Sequence, residues 1–423
     1  MEQTLPFSIM ENTEAPAMPS NLKIINRFNI LKCFRDGECH TVSEVSAITG
    51  ISKITSMRAI HFFCEKGILV TQGKVNQGTI GGKYPEIFKL NIMKYILDIT
   101  LWPHIVCFTL MDFCGNIARK ADYDKIKIQS LSVEEINKFL LKETTALLQE
   151  EGISGKDVYG IWISTAGNID YTNNRIKYNA QAPEWGGNVS LLDSLNEYFK
   201  DNTKIFLENG GKTIAHAFLH RAEVGNKRVL IITTNGGISG CFMQDGKIVS
   251  GQTSLIGEIG HMIIDEKDWE KCSCGSHGCL ERMVDIKRIR HNLKSVKIPE
   301  NSELNTIPLE ELTLLKLFEL AGEEDETAKE CVAYLADCFA LALRNILLVF
   351  DPELVAFVGD YAYAGTYFNQ RMRDKLKEFK YCTDDILSDI LYEKKSMIEL
   401  DNSGAAIAVA DYYFDNMNIY EGG

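Results

Sequence analysis

The sequence predicts an α/β protein in two parts: a small helical segment ending in a hairpin, then a larger two-lobed body. Three observations predict it. Two short helical stretches, TVSEVSAITG and ISKITSMRAIHFFCEKG, meet at a tight glycine turn near the N-terminus. From Lys94 onward, strand-like apolar runs alternate with helical runs, which argues for layered α/β architecture. One hairpin pattern also occurs twice, as IVCFTLMDFCGNIAR and GGISGCFMQDGKIVSG, each an apolar strand, a turn with Asp and Gly, and a second strand. With 423 residues the chain is too long for one small core, so two or three domains are expected.

The bulk numbers exclude several classes. Apolar content of 45% and charged content of 24% are those of a globular protein, and no run of about 18 apolar residues offers a membrane span. The opening stretch MEQTLPFSIMENTEAPAMPS has three acids and no Lys or Arg, so residues 1–20 read as a disordered tail and not a secretion signal. Twelve cysteines, mostly scattered singly through apolar stretches, suit a reducing cytoplasm. The net charge is −13, yet residues 21–90 carry ten Lys/Arg against five Asp/Glu. A basic segment on an acidic body can meet phosphates while the body avoids non-specific nucleic-acid binding.

The elements follow in order. Asn21–Asp36 reads as a helix stopped by Gly37. Thr41 with Glu44 forms a capping box for the next helix, and Gly50 ends it. Ser52 caps the third, which Gly67 closes. On that helix Ile54, Met57, His61 and Cys64 are expected to face inward, leaving Lys53, Thr55, Ser56 and Arg58 outside. Strands at Ile68–Thr71 and Glu86–Leu90 flank QGKVNQGTIGGKYP, the pattern of a wing. This is a winged helix-turn-helix over residues 21–92. Its third helix would enter a major groove through Lys53, Thr55, Ser56 and Arg58, with Lys74 and Lys83 of the wing on phosphate or the minor groove. A protein-interaction module of the same packing is the competing reading. Beyond it lie a strand at VYGIWISTAG, a strand leading into a helix at KIFLENGGKTIAHAFLH, a long helix then a buried strand in ETAKECVAYLADCFALALRNILLVFDPELVAFVGD, and a final helix over Ser403–Tyr413.

The densest chemistry lies in GEIGHMIIDEKDWEKCSCGSHGCLER, residues 257–282. His261, Cys272, Cys274 and Cys279 supply one nitrogen and three thiolates, enough to close a tetrahedral zinc site (Zn2+) that holds structure. Free thiols or a redox pair would leave the histidine unexplained. His277 competes as a ligand but sits at a loop tip that would project it outward.

GEIGHM and CSCGSHGCLE resemble the signature of the ROK family (repressors, open reading frames and sugar kinases), and weaker similarity runs from about residue 98 to 412, including NAQAPEW and SGAAIAV. The resemblance implies an actin-like, ribonuclease-H-like, ATPase-type body over 93–423, with lobes of about 93–206 plus the C-terminal helix and 207–400. It implies a sugar pocket using Asn209, Glu258, His261 and Glu281, whose carboxylates would accept bonds from vicinal hydroxyls. The bland alternatives are a helix cap or surface ion pair for the glutamates and a tight turn for Asn209. Where kinases of the family carry an aspartate base after that asparagine, Gly210 stands here, and a glycine cannot take a proton. The phosphate loop is DITLWP, with Asp98 in place but Thr100, Leu101, Trp102 and Pro103 where small residues are needed, and Asp360 stands where the family prefers glycine. The expectation is a cytoplasmic, sugar-responsive regulator without catalysis, a repressor binding operator DNA as a homodimer or higher homo-oligomer. A sugar or sugar phosphate would be its effector, and a sugar-transport protein a further partner, as for some relatives. The alternative is an ATP-dependent sugar kinase with an appended helix-turn-helix.

Overall fold

In the computed structural model, the described residues are 19–35, 37–74, 85–200, 203–381 and 389–421. The expected tail lies outside them except for Pro19 and Ser20, which already belong to the first helix. Helices α1 (Pro19–Lys32), α2 (Val42–Thr49) and α3 (Lys53–Glu65) pack beside a sheet of order β1-β3-β2, made of β1 (His40–Thr41), β2 (Leu69–Lys74) and β3 (Glu86–Leu90). The local signals act as expected. The Thr41 amide donates to Glu44 Oε2 at 2.7 Å and the Glu44 amide to Thr41 Oγ1 at 3.2 Å, which holds the Glu44 carboxyl below its ordinary range. Gly50 takes the left-handed conformation, φ 70°, and the Thr55 amide donates to Ser52 Oγ at 3.3 Å.

The rotation of α3 differs from expectation. Ser56, Ala59, Ile60 and Phe63 face inward, packing toward α1, α2 and β2, while Ile54 and Met57 are 62% and 43% exposed. Small Ser56 and Ala59 allow close packing on that face, and burial of the aromatic pair Phe62 and Phe63 removes a large apolar area from water. Ser56 is therefore fully buried, its hydroxyl turned to the Ile51 carbonyl at 3.4 Å, and it cannot serve as an outward contact.

The body holds two five-stranded sheets of the same design. In the first, β4 (Tyr95–Trp102), β5 (Ile105–Asp112) and β6 (Ile117–Asp122) form an antiparallel meander. The chain then passes through α4 (Val133–Glu150), adds β7 (Val158–Thr165) parallel to β4, forms a hairpin of β8 (Asn168–Asp170) and β9 (Arg175–Tyr178), and after α5 (Asp193–Phe199) adds β10 (Lys204–Asn209) parallel to β7. The order is β10-β7-β4-β5-β6. Helix α6 (Gly210–His216) follows. The second sheet repeats the plan with β11 (Val229–Thr234), β12 (Ile238–Gln244), β13 (Lys247–Ile248), β14 (Leu354–Gly359) and β15 (Asp389–Glu393), order β13-β12-β11-β14-β15. Between β13 and β14 lie α7 (Leu280–Met283), α8 (Ile286–Leu293), α9 (Leu314–Gly322) and α10 (Glu326–Leu347); α11 (Gly365–Lys377) and α12 (Met397–Phe414) complete the chain. The duplicated hairpins thus open two equivalent sheets. The expected lobe boundary at 206 cuts through β10, however, whose whole length pairs with β7, so the first lobe extends past Asn209. No helix among the described residues is long and apolar enough to cross a membrane.

Helix α12 packs against α6, β4 and β7 and starts at Met397, with Ser396 as cap and Glu399 closing a capping box. Its polar interior residues explain the misread start. Asp401 is fully buried and accepts from Thr100 Oγ1 and Ser164 Oγ, each at 2.7 Å. Asp98 is buried beside it, and burial plus the Asp401 charge push its pKa well up, against a smaller opposing effect of the Ile99 amide. Further along, Asp411 pairs with Arg35 of the N-terminal segment and with His220 at 3.1 Å. Burial opposes ionisation there, but the His220 bond and the Arg35 charge hold Asp411 below the usual carboxylate range. Lys66 Nζ donates to the carbonyls of Asn418 at 3.0 Å and Glu421 at 2.8 Å, and Arg27 to that of Tyr420 at 2.6 Å. One helix and its tail thus touch both the first lobe and the N-terminal segment.

Candidate functional site

A cleft of about 990 Å3 opens between the lobes. The first lobe lines it with Trp102, the turn after β7, residues 177–181 and the start of α6. The second contributes Thr233–Ser239, Glu258, His261 and Glu281. The candidate residues Asn209, Glu258, His261 and Glu281, scattered in sequence, are brought together here. Asn209 Oδ1 accepts from the Gly211 amide at 2.9 Å and its Nδ2 donates to the Gly167 carbonyl at 3.0 Å. Its amide therefore builds the turn that opens α6 while also facing the cleft. Glu258 is half-buried, and that burial raises its pKa.

His261 stands between the two glutamates. Its Nε2 lies 3.9 Å from Glu258 Oε2, and its Nδ1 lies 3.8 Å from Glu281 Oε1 and 3.5 Å from Cys272 Sγ. One ring nitrogen therefore faces the thiols and the other faces the cleft. Ligand atoms of His261, Cys272, Cys274 and Cys279 all lie within 4.8 Å of one another, with Cys274 and Cys279 Sγ 3.5 Å apart. Bond lengths of about 2.3 Å to sulfur and about 2.0 Å to nitrogen at tetrahedral angles require edges of about 3.5–3.8 Å; the His261–Cys272 and Cys274–Cys279 pairs, each at 3.5 Å, meet this, and one nitrogen with three thiols is a donor set that suits zinc. These four residues would hold the ion, which would supply a cross-link and no activated water. Burial opposes ionisation of Cys274, but bonds from Ser276 and the neighbouring thiols lower its pKa on balance, toward the form that binds metal. The loop closes tightly: Gly278 has φ 66°, and a Cβ there would sit 1.7 Å from the Asp265 carbonyl oxygen. His277 is exposed and lies 3.1 Å from the Asp268 carbonyl, away from the cluster.

Two features were not legible in the sequence. The Trp102 indole lies directly over Gly210, where a Cβ would come 2.6 Å from Trp102 Nε1. That nitrogen donates to Ser164 Oγ at 3.1 Å, which in turn donates to Asp401. Behind Asn209, Lys212 is buried and donates to Tyr171 Oη at 2.8 Å, and Tyr171 donates to Glu208, whose pKa burial raises. Position 212 gave no signal, since a lysine on a short helix is normally solvated. At the far end of the cleft stand the Thr234–Gly237 turn, Asp360 and Tyr361.

In the N-terminal segment, Lys53 and Arg58 are exposed on α3, while Thr55 is half-buried with its hydroxyl 3.0 Å from that of Ser52. Lys74 ends β2, and Lys83 lies outside the described residues.

The model of the ROK family matches residues 108–405, which span most of both lobes. The chain belongs to the ROK family. It is 22% identical over 361 residues to the xylose repressor of Caldicellulosiruptor bescii, covering 84% of this chain and 88% of that one. It is 27% identical over 271 residues to a glucokinase of Thermotoga maritima, covering 58% and 83%. Among solved structures, a ROK family transcriptional regulator described as a homolog of the Escherichia coli MLC protein superposes over 95% of this chain and 100% of its own, with a TM-score of 0.73 at 18% identity. A ROK glucokinase of Streptomyces griseus in complex with glucose and AMPPNP matches 75% of this chain and 98% of its own, with a TM-score of 0.58 at 17% identity.

Proposed function

We propose that this chain is a sugar-responsive transcriptional repressor. Its N-terminal winged helix-turn-helix, residues 21–92, binds operator DNA through Lys53, Arg58 and the wing. Its body, residues 93–423, binds a sugar or sugar phosphate at Asn209, Glu258, His261 and Glu281, and zinc on His261 and the three cysteines keeps that pocket in shape. Homodimers would present two heads to two half-sites. The effector acts by its differential affinity for two arrangements of the heads, and α12, which touches both the first lobe and Arg35, is the element to carry the change.

One observation supports regulation over catalysis above the others. The position of the missing base is a glycine, and the space a side chain would need there is taken by Trp102. Without a base in reach of a hydroxyl, phosphoryl transfer loses its proton acceptor. The glucokinase relatives favour the alternative of a sugar kinase with an added head. A gel mobility shift on DNA upstream of the protein's own gene, at two salt concentrations and with a panel of sugars and sugar phosphates, separates the two. Salt-sensitive binding released by one compound supports the repressor. Turnover of ATP with a hexose, together with no DNA binding, would replace it with the kinase.

A further inference from the structure

Helix α3 carries an outward stripe that the sequence alone had turned inward. Ile54, Met57, Arg58 and His61 are exposed at positions i, i+3, i+4 and i+7, beside exposed Lys53. Ile54 and Met57 are large apolar side chains, 62% and 43% exposed, with two cations next to them. Each position further inward is already filled by the core residues Ser56, Ala59, Ile60 and Phe63. The helix is capped by Ser52 and packed against α1, α2 and β2, so the stripe cannot rotate in without losing that core.

A partner for this stripe must be anionic and must also offer apolar groups in register with two helical residues. Lys53 and Arg58 supply the charge match, as does the excess of basic residues over 21–90. Ile54 can neither donate nor accept a hydrogen bond at a base edge, and the Met57 thioether is only a weak acceptor. The thymine C5-methyl is the one apolar group in a major groove otherwise lined by donors and acceptors. Residues 54 and 57 are separated by about 4.5 Å along the helix axis, near the base-pair rise of about 3.4 Å.

We propose that Ile54 and Met57 read thymine methyl groups on neighbouring base pairs of the operator half-site, with Arg58 as the polar reader beside them. The inference rests on the DNA-binding reading above. It replaces Thr55 and Ser56, whose side chains are engaged within the head, as the specificity determinants of α3.

The test uses full-length protein and a duplex selected by it from a random pool. Thymines of the selected half-site are replaced one at a time by uracil, which deletes only the methyl. Two neighbouring positions should weaken wild-type binding by about fourfold each, the worth of one buried methyl. In the variant carrying Ile54→Ala with Met57→Ala, thymine and uracil duplexes should bind equally, with the salt slope unchanged because the phosphate contacts remain. Equal wild-type affinity for thymine and uracil at every position would overturn the proposal while leaving DNA binding intact. So would a methyl effect that persists in the double variant. Absence of salt-sensitive binding to any duplex would overturn the DNA-binding reading itself and leave the stripe to a protein partner.

Discussion

The contact between Trp102 and Gly210 can be measured as a coupling energy. In Gly210→Ala the new methyl would meet Trp102 Nε1 at 2.6 Å and Cε2 at 3.0 Å, against a normal carbon contact of about 3.5–4.0 Å. The indole cannot swing away freely, because its N–H is held by Ser164 on the neighbouring strand. Overpacking of this kind costs about 1–3 kcal/mol. Ala gains up to about 1 kcal/mol over Gly in a helix interior, and less at the first turn where residue 210 sits. A net loss of about 1–2 kcal/mol is expected. Trp102→Ala alone should cost about 3–5 kcal/mol, and in that background Gly210→Ala should be neutral or slightly stabilising. Urea unfolding of the wild type, both single variants and the double variant, followed by far-UV circular dichroism, yields the coupling directly. Equal cost of Gly210→Ala in both backgrounds would refute the reasoning. A catalytic corollary follows. Gly210→Asp returns a carboxylate only by displacing Trp102, so it should show no turnover with ATP, magnesium and hexoses.

The zinc reading predicts about one equivalent of zinc per chain by elemental analysis, and Cys274→Ser should lower both the melting temperature and the effector response. Lys53→Ala with Arg58→Ala should abolish specific operator binding in a mobility shift while leaving the circular dichroism spectrum unchanged. Glu258→Ala should keep operator binding but blunt release by the effector; normal release would move the effector elsewhere. Burial raises the pKa of Asp401, so the folded state holds its proton longer than the unfolded chain does. The stabilisation this contributes is complete below the ordinary carboxylate range and is lost as pH rises through the raised value. Melting temperatures measured between about pH 4 and about pH 8 should therefore fall less for Asp401→Asn than for the wild type.

Features whose partners lie within a few residues were readable from the chain. The capping box of Thr41 and Glu44, the left-handed stop at Gly50, the two hairpins and the Cys-x-Cys-x4-Cys cluster all depend on short-range geometry. A cap or chelate loop closes on itself wherever the rest of the protein goes. The outward turn of His277 follows in the same way from its glycine-rich loop.

Other features depended on partners distant in sequence. Two stripes of α3 share the helical period, and only the surfaces of α1, α2 and β2 decided which faces inward, burying Ser56 and exposing Ile54 and Met57. Asp401 and Asn402 disguised the start of α12 because a buried carboxylate in a helix is tolerable only when Thr100 and Ser164 arrive to bond it. Lys212 looked like a surface lysine until Tyr171 and Glu208 closed around it. The sequence by itself determined the family signature, the cluster of His261 with three cysteines and the glycine at residue 210. The tertiary structure alone decided that Trp102 fills the space above that glycine, because side-chain packing between β4 and α6 is a property of volumes meeting in three dimensions and leaves no periodic trace in either segment.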